Sequence, residues 1–210
     1  MKIILKSFVV SLVLLTSAGF LQGQFGIGLT VTNDLYNRYG NPTDSIAHGG
    51  NGSAILNLGL GPKIWYGGEK MSVSLESYAN LGLLGLSIPD FKGIGNVSFP
   101  LIAKLNFRGL SGLNKEGKTG FSIGGGLQWN KTELFFLSNS FEDRGVTRDF
   151  YRTYVVQAGY GFGLTGFGVQ FFTRYGWNPD FDGGNSLNIG FQFDFNILKL
   201  KQIDDPASQL

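Results

Sequence analysis

The stretch Leu187-Asn188-Ile189-Gly190-Phe191-Gln192-Phe193-Asp194-Phe195-Asn196-Ile197 alternates apolar and polar residues without a break. Leu187, Ile189, Phe191, Phe193, Phe195 and Ile197 fall on one face, and Asn188, Gly190, Gln192, Asp194 and Asn196 on the other. Period two belongs to a strand, where successive Cβ atoms point to opposite faces. Segment 165–177 repeats the pattern: Phe167, Val169, Phe171, Tyr175 and Trp177 oppose Gly168, Gln170, Arg174 and Gly176, with Phe172 as an exception. The same test predicts further strands near 24–33, 53–66, 70–83, 96–108, 119–134 and 148–163, which makes eight in all. No stretch after Gln24 carries a convincing helical period.

Which face meets water decides the fold class. A soluble barrel turns its apolar face inward and covers the outside with Lys and Glu. Here the polar face is mostly Gly, Ser, Asn and Gln with isolated charges, a set suited to the cramped lumen of an eight-stranded barrel. The apolar face is therefore expected to point outward, toward lipid. The predicted strands are long enough for the 9–11 residues that a tilted transmembrane strand needs. Only a closed barrel satisfies every backbone group of such strands in a bilayer.

Composition agrees with this reading. Of 210 residues, 33 are Gly and only 15% are charged, yet 42% are hydrophobic, which excludes a disordered chain. There is no Cys and one His, so disulfides, thiolate chemistry and thiolate zinc sites are excluded and a histidine metal site is not expected. No metal and no cofactor are expected. Lys2 and Lys6, the apolar run Ser7–Phe20, and small residues at Ser17, Ala18, Gly19 and Gly23 have the layout of a secretory signal peptide. Cleavage is expected after Gly23, with Ala18 as the alternative. Without residues 1–23 the chain carries 15 Lys+Arg against 15 Asp+Glu, so the formal +2 belongs to the export signal. That removes the case for a nucleic-acid partner.

The predicted connections, at about 34–52, 67–69, 84–95, 109–118, 135–147, 164 and 178–185, alternate long and short, with 109–118 longer than the pattern asks. Transmembrane barrels have long external loops and short periplasmic turns. Aromatic residues are expected to form two girdles. The lower one comprises Phe25, Trp65, Tyr66, Phe107, Phe121, Tyr160 and Phe162; the upper one comprises Phe99, Phe150, Tyr151, Tyr175 and Trp177.

Phe99-Pro100-Leu101-Ile102-Ala103-Lys104-Leu105-Asn106-Phe107, followed by Gly124-Gly125-Gly126-Leu127-Gln128-Trp129, resembles the small outer-membrane β-barrel family of OmpX-, OmpA- and PorT-like proteins. The resemblance spans about residues 24–198. It implies a barrel in the bacterial outer membrane and no particular activity, since the family is functionally mixed. Many members end on an aromatic residue, whereas this chain continues past Leu198. The expected organisation is a signal peptide over 1–23, a barrel over 24–198 and a periplasmic tail over 199–210.

Lys63, Glu76, Lys104, Arg174 and Asp194 fall on the polar face, with Arg108 near its periplasmic end. Unpaired charges in a narrow lumen are costly, so these six are expected to form a lumen charge network. A narrow ion path is the alternative use of the same residues. Gly161-Phe162-Gly163-Leu164-Thr165-Gly166 matches a dinucleotide-binding pattern by letter, but a strand follows where a helix would be required, and a tight hairpin is expected. His48, with Asp44 and Ser45, could serve a lipid-modifying enzyme but reads better as an exposed loop residue. Three Asn-x-Ser/Thr triplets, beginning at Asn51, Asn96 and Asn130, are expected by chance in so polar a chain.

The expectation is an all-β, eight-stranded, antiparallel up-and-down transmembrane barrel of the outer membrane, monomeric and non-enzymatic. Its surroundings are outer-membrane lipid, and its role is structural, adhesive or partner-docking through the external loops. Loop 135–147, with Phe135, Phe136 and Phe141 beside Glu142, Asp143 and Arg144, suits contact with a protein or surface, and equally a loop folded over the barrel mouth. A lipid-modifying enzyme and a narrow solute channel are the alternatives.

Overall fold

A computed structural model describes residues 23–40, 50–52, 57–86, 93–112, 117–136, 149–164, 166–180 and 184–200. The strands are β1 (Gln24–Tyr39), β2 (Gly50–Gly52), β3 (Asn57–Gly67), β4 (Met71–Ser77), β5 (Ala79–Leu86), β6 (Gly93–Arg108), β7 (Lys118–Phe136), β8 (Tyr151–Leu164), β9 (Phe167–Trp177) and β10 (Asn185–Leu200). Each wall strand pairs antiparallel with its neighbour in sequence, and β1 pairs with both β3 and β10. The ring is therefore closed. β4 and β5 form one wall strand and β2 extends the rim beside Tyr39, which gives an eight-stranded barrel.

Two irregularities shape the wall. Tyr78 separates β4 from β5 opposite Pro100, which has no N–H to return, so one long bond from Tyr78 N to Pro100 O (3.4 Å) remains at that rung. In β1 the register against β10 shifts between Asp34 and Tyr36, so Leu35 is an extra residue. Leu35 and Tyr36 both face out, and beyond this bulge Asn37 and Tyr39 point inward. Strict alternation ends at the bulge, which is why the sequence suggests a strand only to residue 33 although β1 reaches Tyr39. Likewise β6 begins at Gly93 and β10 reaches Leu200, while residues 53–56 lie outside the described part.

The burial pattern is inverted relative to a soluble domain. Outward-facing Leu58, Ile123, Val156 and Phe171 are 51%, 55%, 49% and 45% exposed, whereas Lys63, Glu76, Lys104, Gln128, Gln157, Gln170, Arg174 and Gln192 are buried. An apolar exterior around a polar interior is stable only where the outside solvent is hydrocarbon. Some aromatic residues nevertheless occupy the lumen. Trp65 and Tyr151, expected in the girdles, are buried inside, as are Tyr78 and Phe172. A Cβ on Gly26 or Gly112 would overlap the Trp65 ring, so these glycines make the room that a narrow interior otherwise lacks.

The connection after β6 turns in under the barrel. Arg108 takes φ 53°, Leu110 and Ser111 are buried, Ser111 Oγ donates to Glu69 O (2.7 Å) and Asn196 Nδ2 donates to Gly112 O (2.9 Å). Gly109–Gly112 and Trp65 thus floor this end of the barrel, which explains a turn longer than its counterparts. The β8–β9 connection is a tight hairpin with Gly166 at φ 73° and strand on both sides, so the glycine-rich letters there meet no helix.

Candidate functional site

The polar positions of the alternating strands converge in the lumen in three tiers, the lower two joined by a hydrogen bond. Lowest is an ion-pair lattice. Lys63 Nζ on β3 lies 2.8 Å from Asp194 Oδ2 on β10 and 3.5 Å from Glu76 Oε1 on β4, and Lys104 Nζ on β6 lies 2.6 Å from Glu76 Oε2. The register places these residues face to face: Lys63 is directly opposite Glu76. The carboxylates have further donors. Glu76 accepts from Ser74 Oγ (3.0 Å) and Gln192 Nε2 (2.8 Å), and Asp194 accepts from Thr30 Oγ1 (2.9 Å) and Gln192 Nε2 (2.8 Å). Buried ions survive desolvation when their remaining lone pairs are filled in this way.

Gln157 Nε2 donates to Gln192 Oε1 (3.0 Å) and joins this tier to the next. There Arg174 Nε donates to Gln157 Oε1 (3.0 Å), Nη1 to Gln128 Oε1 (2.8 Å) and Nη2 to Tyr78 Oη. Its guanidinium also lies 5.4 Å from the Tyr78 ring and 5.1 Å from the Phe172 ring, within cation–π range. The upper tier is Asp34, whose Oδ2 accepts from Asn57 (3.0 Å), Asn80 (2.9 Å) and Asn188 (2.7 Å).

Of the six charges singled out from sequence, the structure brings Lys63, Glu76, Lys104 and Asp194 into contact and sets Arg174 a tier above. It places Arg108 apart from them, exposed at the turn after β6, because the chain leaves the wall at that residue. Asp34 is the charge that alternation missed, although Thr30 and Thr32 lead to it on the same face. With it, the buried charges among the described residues balance, three acids against three bases. Asn96 and Asn130, from the Asn-x-Ser/Thr triplets, are buried in the lumen. Asp44, Ser45, His48 and Phe141–Arg144 lie outside the described residues.

The closed wall, lipid-facing exterior and polar interior define a small transmembrane β-barrel of the outer-membrane kind. No family model matches the chain, and no curated protein matches it. Among solved structures it is similar to the N-terminal β-barrel domain of Pseudomonas aeruginosa OprF, at 15% identity and TM-score 0.47, covering 84% of this chain and 100% of that one. It is also similar to Neisserial surface protein A, at 9% identity and TM-score 0.46, covering 82% and 97%. Ail, the attachment invasion locus protein of Yersinia pestis, gives 10% identity and TM-score 0.46, covering 83% and 97%.

Proposed function

We propose that this chain is a non-enzymatic outer-membrane barrel whose lumen is a closed structural plug and whose work is done by its external loops, in adhesion or docking. The observation that carries the reading is the filled interior. A cavity bordered by Lys63, Asp194, Asn196 and the Gly109–Gly112 floor measures about 20 Å³, room for about one water. Above it lie the buried ion pairs of Lys63, Glu76, Lys104 and Asp194, and the buried Trp65 ring packs against Gly112 of its lining, which supports a filled interior. Strands held by lipid outside and charge inside cannot vary to recognise a partner, whereas loops can.

Replacing residues 41–49 and 137–148 with short Gly/Ser turns tests the loop role. The barrel should still insert and keep its heat-modifiable migration, while attachment of the bacteria to surfaces or to host cells falls. Unchanged attachment by a strain carrying the trimmed barrel would refute the docking role.

A further inference from the structure

Asp34 is the one buried acid among the described residues that touches no cationic side chain. Arg174, a tier below, directs its hydrogen bonds to Gln157, Gln128 and Tyr78, all neutral. The Oδ2 atom of Asp34 collects amide N–H groups from Asn57 on β3, Asn80 on β5 and Asn188 on β10, each within 3.0 Å. Its Oδ1 atom accepts from no donor among the described residues, and neither do the amide oxygens of the same three asparagines. An amide oxygen lies about 2.2 Å from its own nitrogen, so all three sit within about 5 Å of one carboxylate atom. Thr32 Oγ1 has no partner either. A Cβ on Gly59 would meet it at 2.2 Å and Asn80 Oδ1 at 3.1 Å, so the hydroxyl and the amide oxygen border the same glycine. Thr32, Asp34, Asn57, Asn80 and Asn188 are all more than nine-tenths buried. Buried acceptors without a donor are costly, and here they gather around a negative charge.

We propose that this tier binds one calcium ion, held by Asp34 Oδ1, the amide oxygens of Asn57, Asn80 and Asn188, and the Thr32 hydroxyl. The donors are all oxygen, which selects a hard cation over zinc or copper. The lack of Cys and the single His therefore bear only on metal sites of another kind. Calcium accepts neutral carbonyl oxygens in irregular geometry, whereas magnesium demands a near-ideal octahedron and keeps its waters. A single carboxylate, with Arg174 a tier below, sets the affinity low, at about 0.1–1 mM as in extracellular calcium modules. Asn57 opens β3 and Asn188 lies three residues past the start of β10, so an ion entering from these strand ends passes neither the lysine lattice nor the Trp65 floor.

Calcium titration of the full chain, folded in neutral detergent and freed of metal by a chelator, tests this through the urea midpoint of unfolding. Terbium luminescence excited through tyrosine gives a second readout, since the Tyr78 ring also borders Gly59 and can sensitise the ion. The wild-type midpoint should rise with calcium over about 0.1–10 mM, and sodium or magnesium chloride at matched ionic strength should give no such rise. Terbium emission should appear and be displaced by calcium. Asp34→Asn keeps the shape and removes the charge; it should abolish the rise and weaken terbium binding about tenfold or more. Asn80→Asp supplies a second carboxylate and should tighten calcium binding about tenfold. Heat-modifiable migration checks that both variants are folded. A wild-type midpoint indifferent to calcium, an equal response to sodium or magnesium, a rise that survives Asp34→Asn, or weaker calcium binding by Asn80→Asp would each overturn the proposal.

Discussion

The Nζ of Lys104 on β6 lies 2.6 Å from Oε2 of Glu76 on β4, with both side chains fully buried. Lys63 approaches the other carboxylate oxygen at 3.5 Å and Asp194 at 2.8 Å, so Glu76 bridges two lysines and shares one of them with Asp194.

Removing that carboxylate strands buried positive charge. Glu76→Ala is expected to lower the unfolding free energy by about 3–5 kcal/mol, read from urea unfolding in lipid vesicles. Glu76→Leu combined with Lys104→Met removes the pair together and should cost clearly less than Glu76→Ala alone. An unchanged midpoint for Glu76→Ala would show that the lattice does not hold the wall.

Tyr78 Oη accepts from Arg174 at the break between β4 and β5. Tyr78→Phe keeps the ring beneath the guanidinium and deletes only the acceptor. A loss of about 1.5–3 kcal/mol is expected, the range for a hydrogen bond to a charged group, measured by the same unfolding titration.

The Trp65 ring fits the barrel floor because Gly26 and Gly112 have no Cβ. Gly26→Ala should destabilise by about 1–3 kcal/mol through overpacking. Trp65→Leu relieves the overlap, so a double-mutant cycle should return a favourable coupling energy between the two substitutions. Strict additivity would place the ring elsewhere.

Val156 lies on the outer face of β8, 49% exposed, and would tolerate a polar residue if water surrounded it. In a bilayer, Val156→Arg is expected to cost about 2–4 kcal/mol. Asp149→Asn, at an exposed position before β8, should stay within about 0.5 kcal/mol.

What could be read from the chain alone follows from these contacts. Leu187–Ile197 announces β10 because both its faces are held to one environment each, lipid and lumen, along the whole stretch. The same alternation places Lys63, Glu76, Lys104 and Asp194 on the inner face. Asp34 keeps the inward parity of Thr30 and Thr32, but the Leu35 bulge ends the alternation just after it, so the strand is read only to residue 33 and Asp34 drops out of the list of inner charges. It also predicts one continuous strand across Tyr78, since a rung weakened by Pro100 on a neighbouring strand leaves no mark in the local pattern. Trp65 and Tyr151 show a different failure. Their parity with Lys63 and Thr153 points inward, but their bulk suggested the girdle, and the space that admits Trp65 comes from glycines distant in sequence. The position of Arg108 depends on a φ of 53°, which the pattern does not encode.

The claim that the lumen is a closed plug is tested most directly by single-channel recording of the full-length barrel in planar bilayers. A lattice of paired charges over a floor of Trp65 and Leu110 should give no discrete conductance steps in wild type. Steady ohmic steps from well-folded wild-type protein would contradict the plug and favour the alternative, a narrow ion path.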